Sequence, residues 1–370
     1  MRIGIPKEQK SDEYRIAIVP HGVRTLIDAG HQVRIEAGAG VGSGIADADF
    51  AAAGALLCCQ EEVFAKSDLI MKVKEPLPQE WPILRPGQLL YAYLHLAAAP
   101  ALTHALLEQE VSAVAFETIQ LPDGSLPLLM PMSEIAGRMS IHVGAKCLEK
   151  ENGGRGVLLA GVPGVEPGKV VIIGGGIVGM NAARMALGMG AEVTLFDINV
   201  GRLRYLDQLF GGRLKTLVAH PQQIHETLLR ADLVVGAALI PGARTPHVMS
   251  RAMVAAMQPG AVLADIAIDQ GGCAETSQPT THSHPTYVVD GVVHYCVANM
   301  PGAVARTATF ALANVTLPYA LALANNGLER ALAADAALAK GLNLHRGQVT
   351  HAAVAVSLAL PYQPYMTANN

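Results

Sequence analysis

The chain has five cysteines, Cys58, Cys59, Cys147, Cys273 and Cys296, and no CxxC pair among them. An odd number without paired spacing argues against a complete disulfide framework, and buried reduced thiols are expected. Charge is also scarce. Asp, Glu, Lys and Arg make up 16% of the 370 residues, no dense Lys/Arg run occurs, and the net charge is −4. A basic footprint for nucleic acid is missing, so a small soluble ligand is the better expectation. No repeat of fixed period is visible. The opening MRIGIPKEQK enters an apolar strand directly, with no signal-peptide pattern, which points to the cytoplasm.

A run suited to lipid is lacking too. Mean hydropathy is +0.31, and segment 307–328 carries no charge, yet it contains Thr307, Thr309, Asn314, Thr316, Asn325, Asn326 and Pro318. That composition suits a buried helix better than a membrane span. His282 and His284 form an isolated His-x-His in a Pro/Thr-rich loop, which makes a poor ligand set, and no metal is assigned. Hydrophobic residues, by contrast, reach 51% in a chain long enough for two domains.

From Arg2 to about Leu128, β-rich runs such as RIGIP, HQVRIEAG, DLIMKVK, LLYAYLHL and SAVAFETI alternate with stretches of helical spacing, the pattern of a parallel α/β sheet. Ser133 is placed to cap a helix running to about Lys150. After a Gly/Pro-rich approach, VVIIGG, EVTLFDI, LKTLVAH, DLVVGAAL, AVLADIAI and VVHYCVAN give six strands for a doubly wound nucleotide domain. The remainder is mostly helical in pattern. The expected fold is thus α/β with two domains: a Rossmann-type, doubly wound nucleotide-binding domain, 129–303, inserted in a discontinuous α/β substrate domain, 1–128 plus 304–370.

Within KVVIIGGGIVGM, Gly174, Gly176 and Gly179 match G-x-G-x-x-G after a β-branched strand and before a helical run. A tight turn, close backbone approach to a pyrophosphate and N–H groups at a helix start are what that spacing supplies. Asp197 ends the next strand about twenty residues on, where a carboxylate accepts from ribose hydroxyls and repels a 2′-phosphate. NAD is favoured over NADP, although Arg202 and Arg204 stand close enough to bind an extra phosphate. A nicotinamide domain beside a second α/β domain implies hydride transfer in the cleft between them.

Lys74 and His95 each end an apolar strand of the first domain. A lysine there can bind a carboxylate or carbonyl oxygen and a histidine can move a proton, but taken alone an exposed strand-end lysine and a satisfied buried histidine are the ordinary readings, and spacing settles neither. Asp269 closes AVLADIAID as either a turn former or a functional group, with Asp265 as its competitor.

Over its whole length the chain resembles the family of L-alanine dehydrogenases and the NAD-binding subunits of proton-translocating nicotinamide nucleotide transhydrogenases. The likeness is carried by RIGIPKE, Tyr14-Arg15-Ile16-Ala17, EAGAGVGS, KVKEP, LHLAA, PLLMPMSEIAGR, GGRGVLLAGVPGVEP, DIAIDQGG, CVANMPGAVARTAT and LAKGL. It implies Arg15 and Lys74 as substrate ligands, with His95 and Asp269 catalytic. It implies cofactor contacts from Ser133, Ile177, Val178, Asp197, Arg202, Ala238, Leu239, Ile266, Ala267, Ile268, Asp269, Val297, Ala298, Asn299 and Met300. Ala219 and Gln278 stand where relatives often carry polar or basic side chains near the adenosine.

The implied reaction is the reversible oxidative deamination of L-alanine to pyruvate and ammonium with NAD reduced to NADH. The implied assembly is a homohexamer, with no nucleic acid and no membrane partner. A transhydrogenase subunit and a non-catalytic nicotinamide-nucleotide-binding protein are the rival readings; an intact Lys74, His95 and Asp269 set counts against both.

Overall fold

The computed structural model describes residues 1–238 and 247–365 and divides the chain into two compact units, Met1–Met132 with Gly302–Asn370, and Ser133–Pro301. In chain order the first unit contributes β1 (Arg2–Ile5), β2 (Gln32–Glu36), β3 (Leu56–Cys58), β4 (Leu69–Met71), β5 (Leu89–Ala92) and β6 (Ser112–Ala115). The second contributes β7 (Lys169–Ile173), β8 (Glu192–Asp197), β9 (Lys215–Val218), β10 (Leu233–Gly236), β11 (Val262–Asp265), β12 (Thr286–Val289) and β13 (Val292–Tyr295). The chain then returns to the first sheet with β14 (Leu342–His345) and β15 (Gln348–Val349).

The first sheet runs β15-β14-β6-β5-β4-β1-β2-β3, parallel from β3 to β6 and antiparallel at β14 and β15. The second runs β12-β13-β11-β10-β7-β8-β9, parallel except for β12. Counting only the parallel strands of each unit in chain order, each core has the doubly wound order 3-2-1-4-5-6, with a reversal between β1 and β4 in one sheet and between β7 and β10 in the other. The central strands β4, β5, β10 and β11 are buried along their whole length, as helices on both faces of a parallel sheet require.

The C-terminal part is mostly helical, as expected, but Arg346 and Gly347, both at positive φ, fold LNLHRGQV into the β14–β15 hairpin. Other expectations need correction. Asp290 and Gly291 turn β12 back against β13 in the same way, adding a seventh strand to the second sheet. Ser133 does not cap its helix: the helix is Met130–Cys147, and Pro131, which has no N–H to leave unpaired, sits in its first turn. Of the cysteines, Cys147, Cys273 and Cys296 are buried, but Cys58 is half-buried and Cys59 exposed.

The charge-free run lies in the helix Ala305–Ala334, which by length and composition is long and apolar enough to cross a membrane. Its Leu312, Ala313, Ala320, Leu323 and Ala324 instead belong to the core of the first unit. Its polar residues are used as well. Thr309 Oγ1 accepts from Ile16 N–H at 3.1 Å and lies 2.8 Å from Ser43 Oγ, and the Thr316 hydroxyl donates to Leu312 O at 3.1 Å.

Candidate functional site

In the first unit, the segments after β1 and β4 leave the sheet at its reversal point, where α/β folds place ligands. The ammonium of Lys72 is buried between two carboxylates, 3.0 Å from Glu80 Oε1 and 3.3 Å from Glu8 Oε2. Glu8 Oε1 also accepts from Val73 N–H at 2.6 Å. One carboxylate therefore holds both a side chain and the backbone of the segment that delivers Lys74. Burial pushes the Glu8 carboxyl upward, against the lowering effect of Lys72.

Lys74 points differently. It is only partly buried, and burial followed by the nearby Arg15 charge lowers its pKa from the ordinary lysine value. Its Nζ lies 5.8 Å from the centroid of the Tyr93 ring. Tyr93 is itself buried and fixed, donating from its hydroxyl to Leu128 O at 2.5 Å.

Arg15 is 2% exposed. Its Nε donates to Glu13 Oε1 at 2.6 Å and its Nη2 to Glu13 Oε2 at 2.5 Å, a two-point fork, while Nη1 meets Met132 Sδ at 3.1 Å. Burial lowers the Arg15 pKa, but the Glu13 hydrogen bonds and charge outweigh it and the net shift is upward. The Ile16 bond to Thr309 anchors the same loop to the long helix.

His95 has left-handed backbone at φ 51°, which a residue with a Cβ adopts only when held there. Glu117 holds it, accepting from His95 N–H at 2.6 Å and from Leu94 N–H at 3.3 Å. The imidazole is exposed and stacks on Tyr93, with centroids 6.1 Å apart and planes 8° apart. Lys74 and His95 thus share one tyrosine, and Arg15 acts electrostatically on Lys74.

In the second unit each motif glycine has a separate cause. Gly174 has φ 106°, and a Cβ there would lie 2.5 Å from Ala237 O. Gly179 packs the helix Ile177–Gly188 onto the turn so closely that a Cβ would stand 1.8 Å from Gly174 O. Gly176, by contrast, precedes the helix with open space where a Cβ would be, and Ile177 and Val178 sit half-buried at the helix start. An unobstructed helix N-terminus behind a close turn fits the pyrophosphate of a dinucleotide.

Asp197 Oδ2 accepts from Gly175 N–H at 2.7 Å and Oδ1 from Asn199 N–H at 2.8 Å, so the carboxylate fixes the turn against the end of β8. Arg202 directs Nε to Gly175 O at 2.5 Å and Nη2 to Gly176 O at 3.3 Å, which ties its guanidinium to the turn, whereas Arg204 is exposed. Ala238 follows β10 beside Gly174. Leu239 lies outside the described residues.

The strand expected to close on Asp269 ends earlier, at Asp265. That carboxylate is buried and accepts from Ala267 N–H at 3.2 Å, Cys273 N–H at 2.6 Å and Ser277 Oγ at 2.5 Å, pulling the chain into a 3-10 turn, Ile266–Gln270. Asp265 is occupied by its own loop. Asp269 is exposed on that turn, with Ala267 and Ile268 buried behind it and Ile266 half-buried. Ser133 is half-buried on its helix. Val297 and Met300 are buried; Ala298 N–H donates to Thr280 O at 3.3 Å, and Asn299, at φ 55°, has its carbonyl 3.3 Å from His282 Nε2.

Glu8, Glu13, Lys72 and Glu117 are the supporting groups that the sequence reading missed. KVK does carry one signal: strand alternation puts both lysines on one face, so a buried counter-charge is needed for whichever points inward. Nothing local identifies Glu8, 64 positions earlier, as the supplier.

The chain matches two family models, the alanine dehydrogenase/PNT N-terminal domain over residues 4–136 and the C-terminal domain over 140–352. It is 56% identical to an alanine dehydrogenase of Methanococcus maripaludis, over 100% of both chains. It is 53% identical to the alanine dehydrogenase of Bacillus subtilis, over 98% of this chain and 96% of the other. Among solved structures, an L-alanine dehydrogenase superposes with a TM-score of 0.95 at 53% identity, covering 97% of this chain and 99% of that one. A transhydrogenase from Sinorhizobium meliloti shares the fold, with a TM-score of 0.82 at 24% identity, covering 95% of this chain and 100% of that one. With both halves matched and identities above one half along the full length, the chain belongs to the alanine dehydrogenase/PNT family.

Proposed function

We propose that the chain is an NAD-dependent alanine dehydrogenase, interconverting L-alanine, NAD and water with pyruvate, ammonium, NADH and a proton. The observation that carries this reading is the full-length likeness to alanine dehydrogenases at more than half identity. The two reversal points support it, one with an arginine, a lysine and a histidine close together, the other with a dinucleotide turn.

In this reading Arg15 receives the substrate carboxylate and Lys74 hydrogen-bonds the pyruvate oxygen. Once the substrate ammonium has given up a proton to solvent, hydride leaves Cα and an iminium remains, a bound NAD being what would supply the hydride acceptor. His95 takes a proton from the water that attacks the iminium carbon and returns one as the carbinolamine expels ammonia. Asp269 orients the water or ammonia and stabilises the cationic substrate intermediates. Gly174, Gly176 and Gly179 shape the pyrophosphate seat, and Asp197 faces the adenosine ribose, which favours NAD over NADP. Ser133, Ile177, Val178, Arg202, Ala238, Leu239, Ile266, Ala267, Ile268 and the segment 297–300 complete the proposed cofactor contacts. We further propose a cytoplasmic homohexamer whose substrate domain combines 1–128 with 304–370 around a nucleotide domain of 129–303. Steady-state assays with L-alanine and NAD, and with pyruvate, ammonium and NADH, test the activity; absence of turnover in both directions would overturn it.

A further inference from the structure

We propose that Asp265 is a positioning residue for the reaction: its buried carboxylate braces the turn Ile266–Gln270 at both ends and so holds Asp269 where it meets water or ammonia. This rests on the assignment of Asp269 as a catalytic group. The two carboxylate oxygens divide the work. Oδ1 accepts from Ala267 N–H at 3.2 Å, at the entry of the turn. Oδ2 accepts from Cys273 N–H at 2.6 Å, Ala274 N–H at 3.4 Å and Ser277 Oγ at 2.5 Å, all beyond its exit. Gly271 and Gly272, at φ 100° and 82°, bring the chain back to the carboxylate, and Gly272 N–H closes the turn on Ala267 O at 3.1 Å.

The carboxylate has no room to drift. A Cβ on Gly236 would stand 2.8 Å from Oδ1 and one on Gly272 2.8 Å from Oδ2, so two glycines wall it in. Asp265 is buried, and among the described residues no cation pairs with it; burial raises its pKa and the four hydrogen bonds work against that. The titratable groups that feel its charge are Cys273, Cys296, Tyr287 and His294, and burial favours the neutral form of each. A buried anion held by dipoles alone depends on every donor keeping its direction, so entry and exit of the turn are tied to one fixed group. Asp269 is exposed, and its aim comes from the turn that carries it. Asp265→Asn keeps the size but exchanges one acceptor oxygen for an NH2. A hydroxyl such as that of Ser277 can turn to accept from it, whereas the N–H of Ala267 or Cys273 cannot and would be left facing a donor.

The test uses the full-length enzyme with Asp265→Asn, with Asp269→Ala and with both. NADH oxidation by pyruvate and ammonium is followed in single turnovers with enzyme in excess, which keeps slow variants measurable. Asp265→Asn should slow the reaction about a hundredfold, the effect of misplacing a catalytic group by about 1 Å. The Kd for NADH, from fluorescence titration, should change less than about threefold. In the Asp269→Ala background the same substitution should slow the reaction less than about threefold, because no carboxylate is left to aim. A merely structural Asp265 would slow both backgrounds alike. An Asp265→Asn rate close to wild type, a loss of NADH affinity as large as the loss of rate, or equal losses in the two backgrounds would overturn the proposal. If Asp265→Asn does not fold, Ser277→Ala removes one bond and leaves the carboxylate; about a fivefold loss confined to the background that retains Asp269 is expected, and an unchanged rate overturns the proposal equally. An inactive wild type, or an Asp269→Ala variant as fast as wild type, would break the underlying reading instead.

Discussion

Lys72 and Lys74 are two residues apart on one strand continuation and are treated oppositely. Lys72 is fully paired with Glu8 and Glu80, and those carboxylates hold its pKa up against burial; Lys74 is partly buried beside Arg15, and its pKa is lowered. This gives a pH prediction with a definite sign. If the protonated amine binds the pyruvate oxygen, kcat/KM for pyruvate falls as Lys74 loses its proton, and that limb lies below the ordinary lysine value of 10.5. Lys74→Arg should move the limb upward even if it lowers the rate, which a pH profile of kcat/KM would show. At the same scale, His95→Ala and Asp269→Ala should each cost about a hundred- to ten-thousand-fold in turnover while fluorescence titration still detects NADH binding. Glu117→Ala should lower turnover and leave NADH binding intact, since it releases the His95 backbone from its left-handed conformation. Lys74, His95 and Asp269 stood out as candidates because each follows an apolar run, but only the family resemblance gave them roles. Glu13 and Glu117 were not, because a side chain that holds another in place leaves no periodic or spacing signal.

The elements were most legible where a pattern had a single physical reading. A β-branched run, three glycines, a helical run and an acid in order could hardly form anything but a strand, turn and nucleotide-type helix, and the glycine contacts explain why. Gly179→Ala would set a methyl 1.8 Å from a backbone oxygen. The turn would have to shift, costing about 1–3 kcal/mol, and NADH titration should show weakened binding together with a lower Tm. Gly176→Ala faces open space, so it should leave Tm nearly unchanged and act on NADH affinity alone. The two hairpins escaped because they interrupt a βα rhythm. VVDGVV carries the Asp-Gly signal of a two-residue turn, and HRGQ carries a weaker one that the surrounding helical spacing hid. The strand read as AVLADIAID was cut at Asp265 by hydrogen bonds to residues 2 to 12 positions ahead, which apolar patterning does not report.

For the whole molecule, alternating strands and helices were enough to read a parallel α/β first unit and a doubly wound second one; that both sheets share one core order was not legible in the alternation. Composition singled out the threonines of the helix Ala305–Ala334, and the Thr309 and Thr316 hydroxyls are both hydrogen-bonded within the first unit. Light scattering on the purified chain should give the mass of six copies if the proposed hexamer forms. The most direct test of the account is NADH formation at 340 nm by the purified chain given L-alanine, with NAD and NADP compared. The account predicts L-alanine-dependent reduction of NAD, release of equal amounts of pyruvate and ammonium, and much lower kcat/KM with NADP because the Asp197 carboxylate stands at the end of β8. No NADH from L-alanine, together with no oxidation of NADH by pyruvate and ammonium, would contradict it.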